Sequence, residues 1–143
     1  MTVSPLSIRR RSAASTRALA SIALALLVHP VVAEQSANIL AQASSGPLRC
    51  EIQRNDKDGM VELIGIAEGA QSLAGHSSFV LTKSGSSGSS NIDQGDRFSV
   101  KTGQQAVVGR ATINLDPGGR VAVDLRLQSD DGIECHAQAS WER

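Results

Sequence analysis

Aromatic side chains are scarce: the 143 residues contain no Tyr, two Phe (Phe79, Phe98) and one Trp (Trp141). Proteins that grip sugars or single-stranded nucleic acid stack their ligands on several rings, which this chain cannot do. Acidic residues are missing from the first 33 positions, which carry four arginines (Arg9, Arg10, Arg11, Arg17). Taking those four from the 14 basic residues leaves 10 against 14 acidic ones, a net charge of −4 on the remaining 110 residues. A domain of that sign has little attraction for a phosphate backbone, so no nucleic-acid partner is expected. Long apolar runs are missing too: the most apolar stretch, 18–28, is 11 residues, against the ~20 a membrane-spanning helix needs.

Catalytic spacings are equally absent. Neither Cys-x-x-Cys nor Cys-x-Cys occurs, nor His-x-His, His-Glu-x-x-His or Gly-x-Ser-x-Gly. The Gly/Ser stretch 84–90 lacks the Gly-Lys-Ser/Thr ending of a phosphate loop and precedes a strand pattern, not a helix. His76 and His136 read as surface residues. No enzyme, metal site or cofactor is expected, and the chain reads as a binding or chaperone module.

What is present begins with the layout of a secretory signal over 1–33. Arg9-Arg10-Arg11 precedes the apolar stretch, and Val31-Val32-Ala33 supplies small residues for cleavage before Glu34. This predicts a periplasmic protein with no membrane attachment after cleavage. Export brings oxidising conditions, which bears on the two cysteines. By alternation Cys50 lies on an apolar face with Leu48 and Ile52, and Cys135 on one with Ile133, Ala137 and Trp141. A structural Cys50–Cys135 disulfide is the expected reading, worth ~4 kcal/mol in the chain-entropy description; two separate buried thiols are the alternative.

Residues 34–47 are polar and alanine-rich and read as a flexible lead-in. The domain proper, 48–143, shows short alternating segments at 48–54, 60–68, 77–83, 97–101, 106–115, 120–128 and 133–141. Asn55-Asp56-Lys57-Asp58-Gly59, Asp116-Pro117-Gly118-Gly119 and Ser129-Asp130-Asp131-Gly132 supply turns, and 84–90 reads as a flexible loop. Seven half-buried strands without a helical period predict an antiparallel immunoglobulin-like β-sandwich, with a closed barrel as the alternative.

The block Ser89-Ser90-Asn91-Ile92-Asp93-Gln94-Gly95, following the Gly/Ser stretch, resembles the alphaproteobacterial curli chaperones of the CsgH type, relatives of CsgC. The Leu48-Arg49-Cys50-Glu51 opening and a last strand running from Cys135 to Trp141 extend the resemblance over nearly all of 48–143. It implies a periplasmic sandwich that keeps curli subunits from forming amyloid before export. Some CsgC-type relatives carry Cys-x-Cys on the first strand; here only the second cysteine is present, which weighs against a redox role.

The expected partner is a curli major subunit or a similar amyloidogenic secreted protein, met by a monomeric domain. Outward basic residues Arg97, Lys101, Arg110 and Arg126 are the candidate client contacts. A structural amyloid component is the poorer reading, because the Ser/Asn/Gln block occurs once and fibril subunits repeat theirs. A general periplasmic binding or adhesin module with the same sandwich is the remaining alternative.

Overall fold

In the computed structural model, which describes residues 38–143, the alternating segments become antiparallel strands. They are β1 (Asn38–Ser45), β2 (Leu48–Lys57), β3 (Met60–Gly69), β4 (Leu73–Gly85), β5 (Gly88–Val100), β6 (Gln105–Asn114), β7 (Arg120–Ser129) and β8 (Glu134–Glu142). Sheet A has the order β1-β2-β3-β6 and sheet B the order β5-β4-β7-β8. Their apolar faces meet in one core, giving the all-β sandwich expected from the sequence. The signal segment expected at 1–33 lies outside the described residues.

The described residues hold eight strands where seven were expected. The extra one, β1, falls inside the segment read as a flexible lead-in. Alanine and serine leave it almost no hydropathy contrast. Its backbone nevertheless pairs with β2 from Asn38↔Arg54 to Ser45↔Leu48, and Leu40, Ala41 and Ala43 pack on the core. The expected loop at 84–90 is also strand. β4 and β5 stay paired to Gly85↔Gly88, so only Ser86 and Ser87 turn. Poor strand propensity is overridden there by ladder bonds and by Asp116, whose carboxylate accepts from the Ser87 amide at 3.1 Å. Hydrogen bonding from the Ser87 side chain above all, with the amide bond beside it, holds the Asp116 carboxyl below its ordinary value against the opposing effect of desolvation. The β2–β3 hairpin is tighter than expected as well: Asp58 and Gly59, both at positive φ, make a two-residue turn.

The core is aliphatic around one ring. β7 buries Val121, Val123, Leu125 and Leu127, as its alternation predicts, and Phe79 of β4 is fully buried beside Leu125 on the same inner face. Phe79 sits against Gly65 and Gly109, which face each other across β3 and β6. A Cβ on Gly109 would fall 2.4 Å from Phe79 Cγ, so this close approach requires glycine. Next to that pair the register slips between Gly65 and Ile66, where the partners pass from Gly109 to Val107. The additional residue, Val108, reverses the phase of β6. Val107, which simple alternation with Gly109, Ala111 and Ile113 over the expected strand 106–115 would place inward, is therefore 56% exposed.

Candidate functional site

Strand register sets which side chains share a surface. On the outer face of sheet B, Arg97, His76, Gln128 and Glu134 form one cross-strand row. Gly95, Ser78, Arg126 and His136 form the next, then Asp93, Val80, Asp124 and Gln138, then Asn91, Thr82, Ala122 and Ser140. Polar and charged residues dominate this face. A shallow hollow of about 360 Å³ opens over the first two rows, lined by His76, Ser78, Arg126, Gln128, Glu134 and His136. The two histidines, distant in sequence, thus border one hollow; among the described residues no group of three His, Cys, Asp or Glu side chains could hold a metal ion.

The outer face of sheet A differs. Ile64 and Ile66 of β3 point away from the core there, beside exposed Val107. Glu51 is buried on the same face and is satisfied by Arg49 at 3.2 Å and by Gln53 Nε2 at 2.6 Å.

The four sequence-predicted contact residues do not form one patch. Arg97 and Arg126 lie on the outer face of sheet B, Arg110 lies on that of sheet A beside Ile64, and Lys101 follows the end of β5. All four are exposed. Arg97 donates to Asp130 at 2.7 Å and to His76 Nε2 at 3.0 Å. Arg110 donates to Glu62 at 2.9 Å and Arg126 to Asp124 at 3.0 Å. Asp124 also accepts from His136 Nε2 at 2.6 Å. Partial burial opposes ionisation of Asp124, but the bonds from His136 and Arg126 outweigh it and hold the carboxyl below its ordinary value.

The two long sides of the sandwich are closed by different groups. On one side β8 packs beside β1 and β2, and the expected disulfide joins Cys50 to Cys135 between the sheets, with Cα atoms 6.0 Å apart. The Cys135 sulfur lies 3.3 Å from the Ala43 carbonyl, a contact without a proton to share. Nearby, the Arg54 guanidinium covers the Trp141 ring at 5.2 Å. On the other side β5 meets β6. Gln94 Nε2 donates to the Arg110 carbonyl at 2.8 Å while its Oε1 accepts from the Arg110 amide at 2.9 Å. Buried Ser77 donates its hydroxyl toward the Asp96 and Val108 carbonyls.

Gln94 therefore mimics a strand, occupying the outward backbone groups of one residue on the edge of sheet A. Sequence reasoning singled out the block containing Gln94 but assigned it no contact. The signal that could have found it is a long amide side chain at an inward position, where an apolar residue is expected.

The CsgH protein family matches residues 49–138. Two solved structures share the fold. The R. palustris CsgH solution structure aligns at 23% identity over 66% of this chain and 91% of its own, with a TM-score of 0.54. The E. coli curli protein CsgC aligns at 21% identity over 68% of this chain and 98% of its own, also at 0.54. Among curated proteins none matches the sequence. With nearly the whole sandwich inside the matched range, the chain belongs to the CsgH family.

Proposed function

We propose that this protein is a periplasmic chaperone that keeps a secreted curli subunit from forming amyloid prematurely, holding it through transient, largely electrostatic contacts and without catalysis. Family membership gives the chain a curli-related role, and family and disulfide together fit a domain outside the cytoplasm. The observation that carries the electrostatic part is the state of the arginines. Arg97, Arg110 and Arg126 are each more than half exposed and each engaged with a single carboxylate. Exposed pairs of this kind are worth about 0–1 kcal/mol, so a carboxylate on an unfolded client competes for them readily. A client held this way stays mobile, and release needs no conformational change.

Adding protein purified from the periplasm to a curli major subunit and following amyloid-dye fluorescence tests the reading. The expected result is a longer lag at well below one molecule per subunit, because few nuclei need blocking. An unchanged lag at equal molar ratio would reject the chaperone and favour the binding or adhesin module. Charge is tested by comparing ~20 and ~300 mM salt, between which the Debye length changes several-fold, each against a client-only control. Inhibition is expected to weaken at high salt, and with Arg97→Glu, Lys101→Glu and Arg110→Glu combined it should weaken already at low salt.

A further inference from the structure

Among the described residues β5 pairs only with β4, so its other side is the edge of sheet B. The two-residue turn makes Gly85 and Gly88 a hydrogen-bonded pair, and such pairs alternate along an antiparallel ladder. Ser89, Asn91, Asp93, Gly95 and Arg97 are then the β5 residues whose backbone groups point away from β4. An independent contact confirms this phase: the Arg97 amide is bonded by the Asp96 carboxylate at 2.7 Å rather than by β4. That bond closes the edge at Arg97. From Ser89 to Gly95 the outward residues are all exposed.

Gly95 adds a second observation. Its φ is ordinary, and a Cβ there would meet only the Ser77 carbonyl at 3.5 Å, so nothing inside the domain requires glycine. Glycine within a strand costs backbone entropy and commonly marks close approach by another backbone. A 13-residue edge strand left this open is a liability in an isolated domain. The neighbouring edge, β6, is by contrast occupied at Arg110 by Gln94.

We infer that the β5 edge over residues 89–95 is a strand-addition site for an extended, Ser/Asn/Gln-rich segment of the client. This rests on the chaperone reading and adds to its charged contacts, which bring the client in, a separate backbone contact of its own. An added strand would bond the free backbone groups of Ser89, Asn91, Asp93 and Gly95. Its alternate side chains would lie beside the hydroxyl, amide and carboxylate groups of that row, where polar partners hydrogen-bond and an opposed carboxylate is repelled. Uncharged Ser, Asn and Gln satisfy both conditions, and the same residues form the ladders that stabilise amyloid. The Asp96 carboxylate on the Arg97 amide stops the added strand, so the site takes one short segment and does not propagate.

The test combines lag-phase kinetics with amide hydrogen exchange on 15N-labelled protein, using purified curli major subunit as the probe. Asp93→Pro removes an edge donor without touching the β4 ladder, and Asp93→Asn removes only the charge. Gly95→Val obstructs the edge by a second route should the proline variant not fold. The subunit is expected to slow exchange at Asn91, Asp93 and Gly95, with Asp93→Pro weakening inhibition about fivefold or more and by clearly more than Asp93→Asn, which keeps the backbone donor. Inhibition by wild type that is equal in Asp93→Pro and Gly95→Val would overturn the edge site while leaving the chaperone reading intact. Slowed exchange without inhibition would uphold the site and remove the chaperone reading; neither effect would remove both. Protection that grows with protein concentration in the absence of the subunit would assign the edge to a second copy of this chain and overturn the proposal.

Discussion

Where β8 runs beside β1 and β2, the Cys50–Cys135 bond joins the sheets and the guanidinium of Arg54 covers Trp141. Where β5 runs beside β6, the same task falls to the amide of Gln94 and the hydroxyl of Ser77. Water does not compete with a covalent link, but it does with each of those hydrogen bonds, whose net worth is about 0.5–1.5 kcal/mol. One side is therefore fixed, while the other is held by contacts that a chain of matching chemistry can supplement. The accessible stretch of backbone, on β5, lies on the hydrogen-bonded side.

The largest expected effect comes from opening the fixed side. Cys50→Ser with Cys135→Ser should lower stability by about 2–4 kcal/mol, read as a fall in denaturant midpoint. In native protein purified without reductant, thiol titration should find no free cysteine, and two titratable thiols would contradict the bond. Inhibition should survive in the folded double variant. Next comes Gly109→Ala, which forces a methyl onto Phe79 beneath β6. It should cost about 1–3 kcal/mol, seen in thermal unfolding and in faster exchange along β6.

Gln94→Ala attacks the hydrogen-bonded closure directly. It should cost only about 1 kcal/mol, since water can replace the amide, but it should speed exchange at the Arg110 amide and leave the Cys50–Cys135 side unchanged. The smallest effect concerns Asp124 on sheet B. Because its folded carboxyl titrates below the unfolded value of about 3.9, its stabilisation is complete above that pH and is lost as pH falls through the folded value. The difference in stability between wild type and Asp124→Asn should be under about 1 kcal/mol, constant near neutrality and shrinking below about pH 4.

Much of this was legible because period two is a robust signal. The strand carrying Val121, Val123, Leu125 and Leu127 buries those four residues, and two cysteines on apolar faces of distant strands paired as alternation predicts. β1 was missed because a core of Ala41 and Ala43 offers no contrast against serine; its place comes from pairing with β2. Val107 was misplaced because one extra residue in β6 inverts the face, and a bulge leaves no mark in composition. The arginines were visible as outward residues, but their carboxylate partners depend on which strands become neighbours: Arg97 and Asp130 are 33 positions apart. The grip of Gln94 on Arg110 is of the same kind, a contact created by packing between sheets.

The disulfide also orders events in time. Cys50 stands at the third position of β2, whereas Cys135 stands at the second position of β8, with every intervening strand between them. A chain emerging amino end first presents the earlier thiol alone throughout most of its passage. Oxidation of the pair thus waits for β8, and the linked form is a sign that the chain has been made as far as its eighth strand. A product truncated before Cys135 keeps an unpartnered Cys50, open to exchange with small thiols or passing oxidoreductases. Complete and incomplete copies of this domain consequently differ in redox state, which gives a cell a chemical handle for telling them apart.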